Sequence, residues 1–171
     1  MKVFVLGMPG SGKTTLGRSL AKSLGTPFVD LDEQIERASG KPVRLIFQEQ
    51  GEPAFRRLES RLLGEWIARK EDFVMATGGG TPCYEDGIQR INKAGFSIFL
   101  DVTAGVIAER LRKTGVASRP LFAGVKEEKL METIEAMRSS RILYYHQASV
   151  RVTPEMSSEE VVAIIRMAGQ R

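Results

Sequence analysis

A chain of 171 residues, 42% hydrophobic and 27% charged, is long and apolar enough to bury a core without disulfide or metal staples. Its net charge of +4 suits an anionic ligand, but no basic run is interleaved with aromatics, so nucleic acid is not favoured as a partner. A single cysteine, Cys83, excludes an intramolecular disulfide, no stretch has the length of a membrane span, and the first apolar run is too short for a signal peptide. The expectation is therefore one cytoplasmic, monomeric domain over residues 1–171 with no membrane partner.

Lys2-Val3-Phe4-Val5-Leu6 reads as a buried strand, and Leu16, Leu20, Ala21 and Leu24 share one face of a following helix. The turn between them, Gly7-Met8-Pro9-Gly10-Ser11-Gly12-Lys13-Thr14-Thr15, has the pattern G-x-x-x-x-G-K-[ST] of a phosphate-binding loop. Glycines at 7, 10 and 12 let successive N–H groups converge on one point, where the helix N-terminus adds positive potential. Gly10, Ser11, Gly12, Lys13, Thr14 and Thr15 form the candidate nucleotide cradle, with Lys13 on the β- and γ-phosphates and the Thr14 hydroxyl on Mg²⁺. A merely tight turn would need the glycines but not the Lys-Thr pair.

The first helix is predicted to stop near Gly25, with Pro27 beyond. Phe28 to Asp32 reads as a short strand running into a helix start. If the extended geometry persists, Asp30 and Asp32 project to the same side; alternatively Asp32 caps the next helix. Two adjacent carboxylates at a strand's carboxyl end are costly unless a cation or a proton resolves them.

After a break at Ser39-Gly40-Lys41-Pro42, a short apolar piece from Val43 to Phe47 leads to Gly51. Phe55, Leu58, Leu62, Leu63 and Trp66 then mark a helix running to about Arg69. Arg56 and Glu59 lie three apart at the edge of its apolar face, either as an anion clamp with its carboxylate brace or as a solvated charge pair. Phe73 to Ala76 is a buried strand that runs into Thr77-Gly78-Gly79-Gly80, where glycines let a ligand approach the backbone closely.

A modest helix around Ile88 and Ile91 ends near Gly95, and Phe96 to Leu100 forms a fourth strand. It ends at Asp101, which on pattern alone is a candidate Mg²⁺ ligand. A helix from about Ala104 to Arg112 follows Thr103 as its cap. Lys113 to Gly124 is basic, loop-like and flanked by glycines, as a lid would be.

Leu130, Ile134, Met137, Arg141 and Tyr145 recur at helical spacing. Arg141 is thereby on the inward stripe, where it needs a buried anion: a side-chain carboxylate or a substrate. His146, the single histidine, is expected on the surface or in packing. Val150 to Val152 is the last strand, and Ser157 with Glu160 makes a capping box for the final helix. Strands alternate with helices throughout, which implies a parallel sheet covered on both faces.

With the P-loop, Asp30-x-Asp32, Phe55-Arg56-Arg57-Leu58-Glu59, Gly78-Gly79-Gly80, Arg119-Pro120-Leu121 and Arg141-x-x-x-Tyr145 in this order, the chain resembles the shikimate kinase family over nearly its whole length. The resemblance implies a three-layer α/β/α P-loop kinase fold with a five-stranded parallel sheet, a mobile lid at about 113–124 and a substrate-binding helical region at about 32–61. It implies ATP-dependent phosphorylation of the 3-hydroxyl of shikimate, a step towards the aromatic amino acids, with ATP as co-substrate and Mg²⁺ as cofactor.

Carried over position by position, Lys13 holds the phosphates, and Thr14 and Asp30 serve Mg²⁺, Asp30 through water. Asp32 binds the shikimate hydroxyls and orients or deprotonates the attacking one. Arg56 and Arg141 clamp the carboxylate, Glu59 holds Arg56, and Gly78, Gly79 and Gly80 line the substrate. Arg119 becomes the lid arginine that meets the transferring phosphoryl group and ATP, and Asp101 loses its claim to the metal.

Thr81-Pro82-Cys83 after the glycines, Leu143 in place of a proline, and a slightly long segment between Arg119 and Arg141 depart from the family pattern. For adenine, Arg112, Lys113 and the loop near Pro154 are the candidates. Two other readings remain at this point. A gluconate kinase of the same fold also takes a carboxylated polyol; the Phe55–Glu59 and triple-glycine motifs speak against it. A non-catalytic nucleotide-binding module would have no need of Lys13, Asp30, Asp32 and Arg119 together.

Overall fold

Among the described residues, five apolar runs form five strands: β1 (Lys2–Leu6), β2 (Phe28–Asp30), β3 (Phe73–Ala76), β4 (Phe96–Leu100) and β5 (Val150–Val152). The computed structural model describes residues 1–115, 120–122 and 124–170. The strands pair in parallel in the order β2-β3-β1-β4-β5. Both faces of a parallel sheet are covered by helices, which is why Val3 to Leu6 and Phe73 to Ala76 are apolar without alternation and fully buried.

The helices are α1 (Lys13–Leu24), α2 (Leu31–Ser39), α3 (Val43–Ile67), α4 (Gly87–Ala94), α5 (Ala104–Thr114), α6 (Glu127–Tyr145) and α7 (Ser158–Ala168). The crossover from β1 to β2 runs one way across the sheet and the later ones run the other way. Right-handed crossovers then put α1 on one face and the connecting helices of the later crossovers on the other. The closing helix α7 packs against α1. Edge-on aromatic contacts of Phe73 with Phe4 and Trp66, and the stacking of Phe99 on Tyr145, tie α3 and α6 to the sheet.

Several boundaries follow the turn chemistry. Gly25 closes α1 and Gly40 closes α2 in the left-handed region, at φ of 67° and 68°. Ser157 and Glu160 form the capping box of α7, and the Thr103 hydroxyl caps α5. The span of α3 is broken at Gly51, whose φ of 79° and ψ of 170° belong to no helix. It is thus two helical runs, and Pro53 falls in the first turn of the second, where a missing N–H costs nothing.

The stretch Phe28 to Asp32 does not stay extended. The strand ends at Asp30, which rather than Asp32 caps α2, accepting from the N–H groups of Asp32 and Glu33. Residues 113 and 114 of the expected lid belong to α5, and Phe122 is wholly buried in a short 3₁₀ turn over 120–122. His146 is exposed, its ring edge-on against Phe99. Among the described residues no helix is long and apolar enough to cross a membrane.

Asp101, a candidate metal ligand on pattern, is engaged by two arginines instead. Its carboxylate, 6% exposed, accepts from Arg138 at 2.6 Å and from Arg151 at 2.7 Å, so the end of β4 is knotted to α6 and β5. Burial by itself would raise its pKa, but the two guanidinium groups outweigh burial and hold it below the usual aspartate range. A depressed carboxyl pKa contributes stability in full above the ordinary value of about 3.9 and loses it as pH falls. Asp101→Asn is expected to cost about 1–3 kcal/mol at neutral pH and to flatten the loss of stability below about pH 4, as read by urea unfolding across pH. Equal acid slopes for both proteins would show that the knot is not a source of stability.

Candidate active site

The N-terminus of α1 is kept open for an anion. Gly12 precedes it in the left-handed region, no side chain caps it, and no acidic residue occupies its first turn. Its leading N–H groups and the positive end of its dipole are thus left to a ligand. Gly7 could be nothing else: its φ is 147°, and a Cβ there would lie 2.7 Å from the carbonyl oxygen of Leu100. Lys13 lies over this loop, its Nζ donating to the carbonyls of Gly7 at 3.0 Å and Met8 at 2.8 Å.

The loop is the common wall of two cavities. One, of about 510 Å³, is lined by Gly10, Ser11, Gly12, Thr15, Arg110 and the segment Thr153-Pro154. The other, of about 90 Å³, is reached by Pro9 and Lys13 from the loop and lined also by Asp30, Asp32, Arg56, Glu59 and Gly78 to Gly80. Residues from the carboxyl ends of β1, β2 and β3 meet here because parallel strands send all those ends to one edge of the sheet.

Asp30 and Asp32 both line the smaller cavity, but not through strand alternation. They occupy the cap and first turn of α2, where N–H groups and the helix dipole offset their charge. The second oxygen of Asp30 accepts from the Thr14 hydroxyl at 3.0 Å. Two hard oxygen donors therefore stand together beside the phosphate-binding loop, a set that suits Mg²⁺. Among the described residues no cluster of three or more His, Cys, Asp or Glu could hold a metal.

Arg56 and Glu59 are not a solvated pair. Their side chains are 6% and 2% exposed, with Nη1 donating to Glu59 at 2.8 Å. The Glu59 carboxylate also accepts from the Thr81 hydroxyl at 2.6 Å, so the departure from the family pattern at this position braces the brace. Burial opposes the charge on Arg56, but Glu59 and Glu52 more than compensate, and its pKa is raised. The guanidinium stacks over Tyr84, 4.5 Å from the ring centre.

The glycines are required by close approach, since none of the three has a positive φ. A Cβ on Gly80 would stand 2.4 Å from the Arg56 guanidinium, one on Gly79 2.6 Å from Pro9, and one on Gly78 2.6 Å from Glu59. Arg141 is 6% exposed on the inward stripe of α6, its Nη1 beside Gly79 and without a hydrogen-bond partner among the described residues. Both arginines are thus preformed around the glycine turn. Arg119 lies outside the described residues.

Two roles go beyond the sequence reading, which has Tyr145 on the inward stripe and in the Arg141-x-x-x-Tyr145 motif but not its bond. Arg110, not Arg112 or Lys113, faces the larger cavity and donates to the carbonyl of Ser11 at 2.7 Å. Arg112 and Lys113 are turned to Glu127 and Glu109. Helical spacing carries the signal, since Ile107, Arg110, Leu111 and Thr114 share one face. Tyr145, wholly buried, donates its hydroxyl to the carbonyl of Gly79 at 2.6 Å and so straps the glycine turn to α6. No local pattern announces that bond.

The family model for shikimate kinase matches residues 9–168. A shikimate kinase of Bacteroides fragilis is 41% identical over 149 residues, covering 87% of this chain and 82% of that one. The crystal structure of shikimate kinase from Bacteroides thetaiotaomicron superposes with a TM-score of 0.87 at 34% identity, covering 100% of this chain and 99% of that one. Shikimate kinase from Acinetobacter baumannii, solved in complex with shikimate, gives a TM-score of 0.85 at 27% identity over 99% of this chain and 92% of that one.

Cys83 follows the glycine turn, half-buried. Burial pushes its thiol up to about 11, against the pull of Arg141 and Arg56. Alkylation of the native protein by iodoacetamide is expected to be slow at about pH 8 and to accelerate towards the raised pKa, with ordinary reactivity restored in denaturant. Fast labelling of the folded protein at neutral pH would mark a reactive thiol instead.

Proposed function

The chain belongs to the shikimate kinase family, and we infer that it transfers the γ-phosphoryl group of ATP to the 3-hydroxyl of shikimate, giving shikimate 3-phosphate and ADP. One observation carries the reading of the site. Two buried arginines stand against the glycine turn, Arg56 lining the small cavity on one side of the phosphate-binding loop and Arg141 beside Gly79, and a larger cavity opens on the other side. A donor and a carboxylated acceptor can then meet across Lys13.

In this reading the shikimate carboxylate sits between Arg56 and Arg141, which places the ring hydroxyls towards Asp32. Asp32 accepts the hydrogen bond of the 3-hydroxyl and takes its proton as the oxygen bonds to Pγ and the bond from Pγ to the bridging oxygen breaks, releasing ADP. Lys13 and the N–H groups of residues 10–15 hold the phosphates, and Arg119, on the strength of its Arg-Pro-Leu motif, neutralises charge on the moving phosphoryl group. Thr14 and Asp30 would hold Mg²⁺, Asp30 through water, and the ion would supply charge neutralisation on the phosphate oxygens. Arg110 and Pro154 border the space for the adenine, Arg110 offering a guanidinium plane for stacking. Positioning and fixed charge supply most of the rate. All these groups come from one chain, so a monomer is sufficient.

The gluconate alternative is disfavoured by the family match over residues 9–168. A non-catalytic module is disfavoured by the joint presence of Lys13, Asp30 and Asp32 at the cavity.

The test is ADP release with ATP and Mg²⁺ against shikimate, quinate, gluconate and no acceptor. Turnover that requires shikimate is the expected result, and turnover indifferent to it would sink the reading. Arg56→Ala and Arg141→Ala are each expected to raise the KM for shikimate by about ten-fold or more while leaving ATP binding nearly intact. Parallel loss of both ligands would remove the clamp assignment.

A further inference from the structure

Arg56 carries more negative charge than its orientation requires. Glu59 already fixes it from a buried position, and Tyr84 covers its face. A second carboxylate is nonetheless on it: Oε1 of Glu52 accepts from Nη2 at 3.1 Å and from Nε at 3.3 Å. The edge that Glu52 holds, Nε with Nη2, is one of the two edges by which a guanidinium takes a carboxylate in two parallel bonds. The partner clamp residue, Arg141, has no comparable escort: its Nη1 finds no partner among the described residues.

The two carboxylates on Arg56 differ in how firmly they are held. Glu59 is 2% exposed and cannot leave without stranding a buried charge. Glu52 is 42% exposed and lies in the first turn after the break at Gly51. Released into water it regains hydration and stays near the positive end of a helix, so its departure is cheap. With no carboxylate on that edge, two donors of a guanidinium only 6% exposed would be left short of partners, which costs free energy.

We propose that Glu52 is a resident stand-in for the acceptor's carboxylate, holding the Nε/Nη2 edge of Arg56 until the incoming carboxylate displaces it. The proposal rests on the reading of Arg56 and Arg141 as the acceptor clamp. The acceptor anion lands first on Arg141 and then exchanges with Glu52 on Arg56. An acceptor without a carboxylate does not enter that exchange, so Glu52 lowers affinity for the anion alone and in return keeps the Nε/Nη2 edge of Arg56 satisfied until the anion arrives. It acts through Arg56 and is a positioning residue, not a catalytic one.

The experiment measures the KM for shikimate and for its methyl ester in wild type, Glu52→Gln and Arg56→Ala. Removing the competing charge in Glu52→Gln is expected to lower the KM for shikimate between about two- and five-fold, the range of a half-exposed ion pair, without lowering that for the ester. Glu52→Ala repeats the test without an amide oxygen that could still accept from Arg56. A shikimate KM that is unchanged or raised in both Glu52 variants, or an equal fall for the ester, overturns the proposal. If Arg56→Ala still raises the shikimate KM in that case, only the stand-in role is lost. If Arg56→Ala leaves the KM untouched, the clamp reading fails and the proposal with it.

Discussion

A helix N-terminus left without a cap, at the centre of a parallel sheet's carboxyl edge, is the constraint on which the rest depends. Such an end exposes several N–H groups and half a positive charge, which is unfavourable in an interior without an anion. The surroundings of α1 accordingly supply no substitute: no capping side chain, no acid in the first turn, and a lysine held against the loop's own carbonyls. Because β1 lies between β3 and β4, the turns that follow its neighbours are brought to the same place. The glycine turn after β3 and the aspartate cap after β2 face the loop from one side, and α5 after β4 faces it from the other.

The acceptor side is organised by close packing of charge against backbone. None of three consecutive glycines has a positive φ, and yet a Cβ on any of them would meet Glu59, Pro9 or Arg56 at 2.6 Å or less. Burying an arginine is tolerable only with a fixed partner, and Glu59 with Thr81 behind it provides one. Tyr145 closes the arrangement from α6, bringing Arg141 to the same turn one helical turn earlier in the chain. Asp101, which Arg138 and Arg151 neutralise, anchors that helix to the sheet. The positions of the two clamp arginines are therefore set by interactions that have no part in chemistry, and preorganisation of this kind is what makes binding energy available for positioning.

Charge in this site is balanced in two ways that differ in permanence. Asp30 and Asp32 are stabilised by a helix terminus and Arg56 by a buried carboxylate, all parts of the fold itself. Glu52 is a partner of Arg56 that the fold does not lock in place. A site that exchanges an internal carboxylate for an external one changes little in local charge on binding, so the rest of the protein has little to readjust.

The phosphate-binding half was legible in the sequence because its chemistry is local. Gly7 to Thr15 needs only a strand before it, a helix after it and glycines where φ is positive, all of which short-range sterics determine. The same holds for the ends of α1 and α2 and for the capping box of α7. The charged residues outside that loop were legible only as candidates. Asp30 and Asp101 each end a strand, and Arg138 and Arg141 lie one turn apart on a single helix. What assigns Asp30 to Thr14 and Asp101 to two arginines, or leaves Arg141 facing Gly79 while Arg138 is spent on Asp101, is which partner the distant chain delivers. Burial and pairing of a charge depend on those long-range contacts and not on its neighbours in sequence, so only the tertiary structure could decide them.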